Sequence, residues 1–388
     1  MKKYDAYKPS GVEWIGEIPE GWDIIPFKHC VSINNGADYK KVETDDDNAY
    51  PVVGSGGVFA YATEYMHDGE VIFLGRKGTV DKPLYFIGKF WAIDTMFYAI
   101  PNNKCTGKYL YYQSLTFPFD YYMTDTARPS MTQTDLRDNK ICFPPLAEQI
   151  AIADYLDAKC AKIDKVVAVQ RKRIELLKEL KQSIITRAVT KGLDKTAKMK
   201  DSGIGWIGKI PEGWEIIPFK HCANINNGAD YKKIATDDDD AYPVIGSGGV
   251  FAYATEYMYD GEVIFLGRKG TVDKPLYFSG KFWAIDTMFY AIPQKNSDGK
   301  YLYYQSLTFP FDYYMTDTAR PSMTQTDLGD NKICLPPLSE QIAIVDYLET
   351  KCAVIDRHIA KVEKQIDLLK EYKQSVITEC VTGKRKVC

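Results

Sequence analysis

The sequence predicts two copies of a mixed α+β (α/β) domain, each followed by one very long helix, with the helices pairing into a two-helix coiled coil. Three observations predict it. The 388-residue chain aligns with itself from Trp14 to Val381 at one fixed offset of 192 residues, so that Trp14 falls on Trp206, Arg76 on Arg268 and Arg128 on Arg320. Within each copy, a stretch rich in Gly, Tyr and short apolar alternations gives way to a run of 44 residues, 146–189, without Gly or Pro. That run carries apolar residues in strict 4-3 alternation. A repeat of this length is a whole domain with its connector, far longer than the ~20 to 50 residues of a solenoid unit.

Each element has a local reason. Pro51-Val52-Val53, Glu70 to Leu74, Leu84-Tyr85-Phe86 and Met96 to Ile100 are short apolar runs between turn signals and read as strands. Residues 107–117 carry helical spacing and stop before Pro118. Pro144-Pro145 closes the domain, and Leu146-Ala147-Glu148-Gln149 opens the long helix with Glu148 in its first turn, favourable against the helix dipole. Ala153, Leu156, Cys160, Ile163, Val167, Gln170, Ile174, Leu177, Lys181, Ile184 and Ala188 then occupy the a and d positions of five heptads. The second copy repeats the stripe from Val345 to Cys380, with Lys373 matching Lys181. At 1.5 Å per residue each helix extends about 65 Å, too long for its own small domain to cover, so the two helices need each other, with a homo-oligomeric coiled coil as the alternative. The expected domains are 1–145, a helix over 146–189, a polar linker over 190–205, a second domain over 206–337, a second helix over 338–382 and a tail over 383–388.

Charge and composition narrow the function. With 49 basic and 52 acidic residues the net charge is −3, so no global positive field draws in nucleic acid, and any such contact comes from local loops or partners. No apolar run approaches the ~20 residues of a membrane span and Met1-Lys2-Lys3-Tyr4 leads into polar sequence, which points to a cytoplasmic protein. The nine cysteines form no CxxC pair and stand apart from the four histidines, so no zinc site is expected; Cys30, Cys142 and Cys160 and their mates read as reduced core thiols.

The order domain, helix, domain, helix resembles the specificity (S) subunit of Type I restriction-modification enzymes. So do the SGxxWIGxIPEGW segments at Ser10 to Trp22 and Ser202 to Trp214, and the junctions Pro144-Pro145-Leu146-Ala147-Glu148-Gln149-Ile150 and Pro336-Pro337-Leu338-Ser339-Glu340-Gln341-Ile342. The resemblance covers essentially the whole chain. It implies two target recognition domains and an antiparallel helical spacer that docks two methyltransferase (M) subunits, with motor-nuclease (R) subunits completing the enzyme. It also implies that this subunit is non-catalytic and holds no cofactor, S-adenosylmethionine, ATP and Mg being used by the partners on double-stranded DNA. No tetrapeptide of Asp or Asn, Pro, Pro and an aromatic is present, since the nearest run is Phe143-Pro144-Pro145-Leu146. The competing readings are a stand-alone methyltransferase and a coiled-coil or lectin-like scaffold.

Bases are read by Arg, Lys, Asn, Gln, Ser and Thr, and phosphates are held by Lys, Arg and hydroxyls. Three loops per copy are rich in these. The first contains Asn34, Asn35, Lys40 and Lys41 (second copy Asn226, Asn227, Lys232 and Lys233), with a solvated Asn-Gly turn as the alternative. The second contains Arg76, Lys77 and Thr79 (Arg268, Lys269 and Thr271) between two glycines that let the backbone approach a phosphate. Its GRKGTVDK pattern lacks the GxxxxGK[ST] of a nucleotide loop. The third contains Arg128, Ser130, Thr132 and Gln133 (Arg320, Ser322, Thr324 and Gln325), with a hydroxyl-rich structural turn as the alternative. Ser55 and Ser247 follow an apolar strand and read either as backbone contacts or as a plain hairpin. No metal site is expected, the Asp45 to Asp47 and Asp237 to Asp240 runs reading as solvated loops.

The two copies are identical over 54–66, 69–86 and 109–136 and their mates, which hold most of these residues. Both halves are therefore expected to recognise the same short DNA word. If the helices pair antiparallel the bound site is an interrupted palindrome, and if parallel a direct repeat, with helix length setting the gap.

Overall fold

The computed structural model describes residues 2–122, 130–311 and 322–387. The chain divides into two compact units, Met1–Arg171 with Lys364–Cys388, and Lys172–Glu363. Each unit thus holds one domain, the near half of that domain's own long helix and the far half of the other copy's helix.

In the first unit the order is β1 (Tyr7–Pro9), β2 (Glu17–Pro19), β3 (Asp23–Pro26), β4 (Val31–Asn35), β5 (Glu43–Thr44), β6 (Tyr50–Gly54), β7 (Gly57–Ala62), β8 (His67–Gly75), β9 (Leu84–Ala92), β10 (Met96–Pro101), α1 (Gly107–Ser114), α2 (Phe119–Tyr122), α3 (Gln133–Asp138), β11 (Lys140–Phe143) and α4 (Leu146–Lys191). Seven strands form one sheet in the order β4-β10-β8-β9-β6-β7-β5. Every pair in it is antiparallel except β6 with β9. β8 is covered on both faces: Val71 and Phe73 join a small cluster with Val53, Phe90 and Met96, while Ile72 and Leu74 face the main core with α1. Its two-sided burial explains why this strand is the continuous apolar run of the sequence. α1 starts on the Thr106 side chain, which accepts from the Tyr109 amide, and ends at Ser114, three residues short of the sequence expectation.

The second unit repeats this architecture with β12 (Met199–Asp201), β13 (Lys209–Pro211), β14 (Glu215–Pro218), β15 (Ala223–Asn227), β16 (Ala235–Thr236), β17 (Tyr242–Gly246), β18 (Gly249–Ala254), β19 (Tyr259–Gly267), β20 (Leu276–Ala284), β21 (Met288–Pro293), α5 (Gly299–Ser306), α6 (Gln325–Asp330), β22 (Lys332–Leu335) and α7 (Leu338–Val381). Its sheet order is the same, β15-β21-β19-β20-β17-β18-β16. Where Thr106 becomes Asp298, the cap survives, because the Asp298 carboxylate accepts from the Tyr301 amide.

The 4-3 stripe is the inner face of the long helices. Ala153, Leu156, Cys160, Ile163 and Val167 of α4 are buried, as are Val345, Leu348, Cys352 and Ile355 of α7, whereas Val169, Leu176 and Leu368 point outward. Within the first unit, Asp164 of α4 meets Lys373 of α7 at 2.7 Å, and Tyr155, nine residues earlier, accepts from Arg385, twelve residues later. Rising numbers on one side match falling numbers on the other, so the segments run antiparallel. The second unit shows the mate of the first contact, Lys181 to Asp356 at 2.7 Å. The two core-position lysines are thus neither buried nor idle: they emerge at the edge of the seam and pair with a carboxylate on the facing helix. Both long helices stop at a left-handed glycine, Gly192 at φ 71° and Gly383 at φ 73°.

One buried cluster fastens domain to helices in each unit. Gln113 of α1, fully buried, donates through Nε2 to the Val381 carbonyl near the end of α7 at 2.8 Å and to the Cys142 carbonyl at 3.3 Å. Tyr109 Oη donates to the Cys142 carbonyl at 2.9 Å, and burial holds its ionisation well above the usual tyrosine range. In the second unit Gln305 and Tyr301 hold the Val189 and Cys334 carbonyls the same way. At the start of α4, Trp22 Nε1 donates to Glu148 Oε2 at 2.9 Å and Gln149 Nε2 to the Pro144 carbonyl at 3.0 Å. Trp214 and Glu340 repeat the first contact, and Gln341 with the Pro336 carbonyl repeats the second. The eight described cysteines are buried free thiols, and burial pushes Cys142, Cys334 and Cys380 up to about 12, so they stay protonated and inert.

Replacing Gln113 with Leu removes the 2.8 Å donor to the buried Val381 carbonyl, while Tyr109 still holds that of Cys142, and is expected to cost about 1–3 kcal/mol. Leu176→Ala on the outward face of α4 is expected to stay within about 0.5 kcal/mol. Urea denaturation of the two variants against the parent distinguishes them.

Candidate nucleic-acid interface

The loops singled out from the sequence meet around one tight turn, Ile93-Asp94-Thr95, between β9 and β10. The Arg76 amide donates to the Thr95 carbonyl at 2.9 Å, and the Arg76 guanidinium reaches the Asp94 carbonyl at 3.3 Å while lying 5.8 Å from the Phe97 ring centroid. From the first loop, the Gly36 amide donates to the Met96 carbonyl at 3.0 Å and the Ala37 amide to the Ala92 carbonyl at 2.9 Å. From the third, the Met131 amide donates to the Arg76 carbonyl at 3.0 Å, and Lys77 and Ser130 form an isolated antiparallel bridge. Gly54, at the foot of the β6–β7 hairpin, approaches Ile93 so closely that a Cβ there would stand 3.1 Å from Ile93 Cδ1. The second unit builds the same cluster on Ile285-Asp286-Thr287, with Arg268 on Thr287 and on the Phe289 ring, and Lys269 bridged to Ser322.

Glycine is required twice in this packing. A Cβ on Gly36 would overlap the Ile93 carbonyl oxygen, and one on Gly75 would overlap that of Thr79, where the second loop folds back on itself. Gly56, at the hairpin tip, has open space instead.

The individual residues divide by what already holds them. Lys77, Lys40 and Lys41 are exposed, with Arg76 and Thr79 partly so, and Lys269, Lys232 and Lys233 are exposed in the mate, with Arg268 and Thr271 partly so. Ser130 and Ser322 sit beside the basic loop through their bridges. Asn34 and Asn35 are strand residues, not loop residues: they end β4 opposite Tyr98 and Phe97, and the Asn34 amide donates to the Ser32 carbonyl. Asn226 and Asn227 end β15 in the same way. Ser55 with Gly56, and Ser247 with Gly248, are the tips of plain two-residue hairpins. Thr132 is the cap of α3, its hydroxyl accepting from the Asp135 amide at 3.1 Å in a capping box, and Thr324 does the same with Asp327. Gln133 donates to the Ile33 carbonyl at 2.6 Å and Gln325 to that of Ile225 at 2.7 Å, tying the third loop to the strand that carries the first. These four side chains carry structural hydrogen bonds, as the hydroxyl-rich structural turn left open by the sequence would have them. Arg128 and Arg320 lie outside the described residues.

Two features escaped the sequence reading. The turn at Ile93 to Thr95 offers no basic or amide side chain, and its role is made by backbone carbonyls that only the folded sheet brings to the loops. The second is the ion pair behind the Glu43-to-Ala235 swap, a swap that the sequence itself shows. Lys40 is paired with Glu43 at 3.0 Å, and that hydrogen bond raises its pKa, whereas the mate of Glu43 is Ala235 and Lys232 has no ion pair among the described residues. The Asp238, Asp239 and Asp240 carboxylates cluster on the surface without burial. Among the described residues no helix is long and apolar enough to cross a membrane.

Residues 19–179 and again 211–367 match the Type I restriction modification DNA specificity domain. The chain belongs to the type I specificity-subunit family. It is 26% identical over 425 residues to the MjaX specificity subunit of Methanocaldococcus jannaschii, covering 96% of both chains. To the MjaVIII specificity subunit of the same organism it is 23% identical over 440 residues, covering 95% of this chain and 94% of the other. Among solved structures, a chain from a study of complex assembly and conformational transition in a type I R-M system superimposes with a TM-score of 0.69 at 15% identity, covering 94% of this chain and 98% of that one. That likeness concerns the fold. As a specificity subunit the protein is a DNA-recognition component rather than a catalyst, and its two matched segments contain the two clusters of loops.

Gly36→Ala is expected to destabilise the first unit by about 1–3 kcal/mol through overpacking against the Ile93 carbonyl, and Gly56→Ala to be tolerated. Thermal melts followed by circular dichroism separate the two.

Proposed function

We propose that both domains read the same short DNA word. In doing so they position two methyltransferase subunits for adenine-N6 methylation, and motor-nuclease subunits for restriction, at an interrupted palindrome. The observation that carries this is the identity of the two loop clusters within a DNA-specificity family whose domains read the target: Arg76, Lys77, Thr79 and Ser130 recur as Arg268, Lys269, Thr271 and Ser322 on the same backbone turn. Arg76 and Lys77, with their mates, approach base edges and phosphates, and Lys40, Lys41, Lys232 and Lys233 hold the backbone. The antiparallel pairing of the helix segments inside each unit supports an inverted rather than a direct repeat of the word.

Chemistry then belongs to the partners. S-adenosylmethionine is bound by the methyltransferase subunits, which extrude the adenine, and ATP and Mg by the motor-nuclease subunits. The chain itself contributes geometry, and its net charge of −3 is no obstacle, since the partners share the electrostatic grip.

Mapping N6-methyladenine in a host carrying this chain with its methyltransferase is expected to give one word, a gap of unspecified bases and the word's inverted complement. Two unrelated half-sites, or a direct repeat, would overturn the proposal. For the electrostatic part, Glu43→Ala frees Lys40 and is expected to tighten duplex binding and steepen its log–log salt dependence by about one unit. Ala235→Glu is expected to do the reverse in the second domain. Fluorescence anisotropy over a salt series measures both.

A further inference from the structure

The β6–β7 hairpin presents an exposed aromatic ring beside the basic loops in each domain. The register between the two strands slips once: Val52 faces Ala60 and Val53 faces Val58, so Phe59 is an extra residue on β7 without a partner on β6. A bulge of this kind turns a side chain out of the regular alternation. Phe59 is 54% exposed as a result, a large exposure for a phenylalanine in a strand. Its ring is nevertheless held: a Cβ on Gly54 would come within 3.2 Å of Phe59 Cε1, and Tyr39 meets it edge-on with centroids 5.4 Å apart. Tyr39 in turn lies under the Lys40 ammonium at 4.8 Å. Phe251 repeats the bulge and its support, with the same slip at Val244 and Ile245, the same 54% exposure, Gly246 beneath and Tyr231 edge-on at 5.5 Å.

We propose that Phe59 and Phe251 are specificity-determining residues that pack against the C5-methyl group of a thymine in each half-site. This rests on the reading of the loop clusters as the DNA-facing surface, and it adds an apolar contact to their polar ones. A two-stranded ribbon fits the major groove, where the thymine methyl is the one apolar mark on a base edge. The ring touches Gly54, which also abuts Ile93 of the turn that carries Arg76, so apolar and basic contacts share one surface. A ring supported by Tyr39 and the hairpin backbone loses little freedom on binding, which favours its use as a recognition contact.

The test uses the full chain and a randomised duplex library. The parent is expected to select a motif with a thymine in each half, and replacing one such thymine by deoxyuridine, which removes only the methyl, is expected to weaken binding about fourfold, the worth of one buried methyl. The Phe59→Ala, Phe251→Ala double variant is expected to bind the thymine and deoxyuridine duplexes equally, with an unchanged melting temperature. Phe59→Leu with Phe251→Leu, which keeps an apolar surface, is expected to retain a preference for thymine. A parent motif without thymine, or an alanine variant that still discriminates thymine from deoxyuridine as the parent does, overturns this inference and leaves the proposed function standing. A parent that selects no recurrent motif overturns the proposed function as well.

Discussion

The architecture depends on the satisfaction of the last carbonyls of two very long helices. A helix end leaves its final C=O groups without intrahelical partners, and burying them unpaired costs about 1–3 kcal/mol each. Here the Val381 and Val189 residues are buried and their carbonyls accept from the Nε2 groups of Gln113 and Gln305. The same glutamines hold the Cys142 and Cys334 carbonyls, on the strand that leads directly into the next long helix. Each domain therefore grips the strand leading into its own helix and the end of the other copy's helix with one side chain. The division of the chain into units that mix the two halves of its sequence follows from this contact.

The same contact explains two motifs that are only patterns when read along the chain. The tryptophan closing the SGxxWIGxIPEGW segment and the glutamate of the PPLxEQ junction are 126 residues apart, and they are hydrogen-bonded to each other in both units. The glutamine that follows returns to the proline carbonyl and to the α1 cap loop, where its Oε1 accepts from Thr106 in the first unit and from Asp298 in the second. Sequence segments that look like separate signatures are two sides of one joint.

How much of this was legible in the sequence depended on whether the determining interaction is periodic or local. The long-helix stripe was legible down to the partly exposed Lys181 and Lys373, because a 4-3 repeat over five heptads has no competing local explanation. The strands from Glu70 to Leu74 and Met96 to Ile100 were legible from apolar runs between turn residues. The polar clusters meet around one turn as neighbours, but Asn34 and Asn35 end a strand and the members were not sorted by what holds them. Thr132 and Asp135 form a capping box whose helix has only six residues and no apolar stripe to announce it. Gln133 is engaged by a carbonyl 100 residues away. The turn at Ile93 to Thr95 and the slip that exposes Phe59 were invisible, since backbone carbonyls and strand register leave no mark on residue type.

The joint around Gln113 and Trp22 is built from α1, the segment before β3, the start of α4 and the end of α7, elements other than those that carry the described candidate recognition residues. Attachment and the proposed reading are thus written in separate elements of the domain. A lineage can exchange the reading half as an interchangeable cassette, or copy it wholesale, provided the fastening residues come along unchanged. The near-duplicate halves of this chain, differing at Glu43 and Ala235 but not at Gln113 and Gln305, have the form such a copying event would leave.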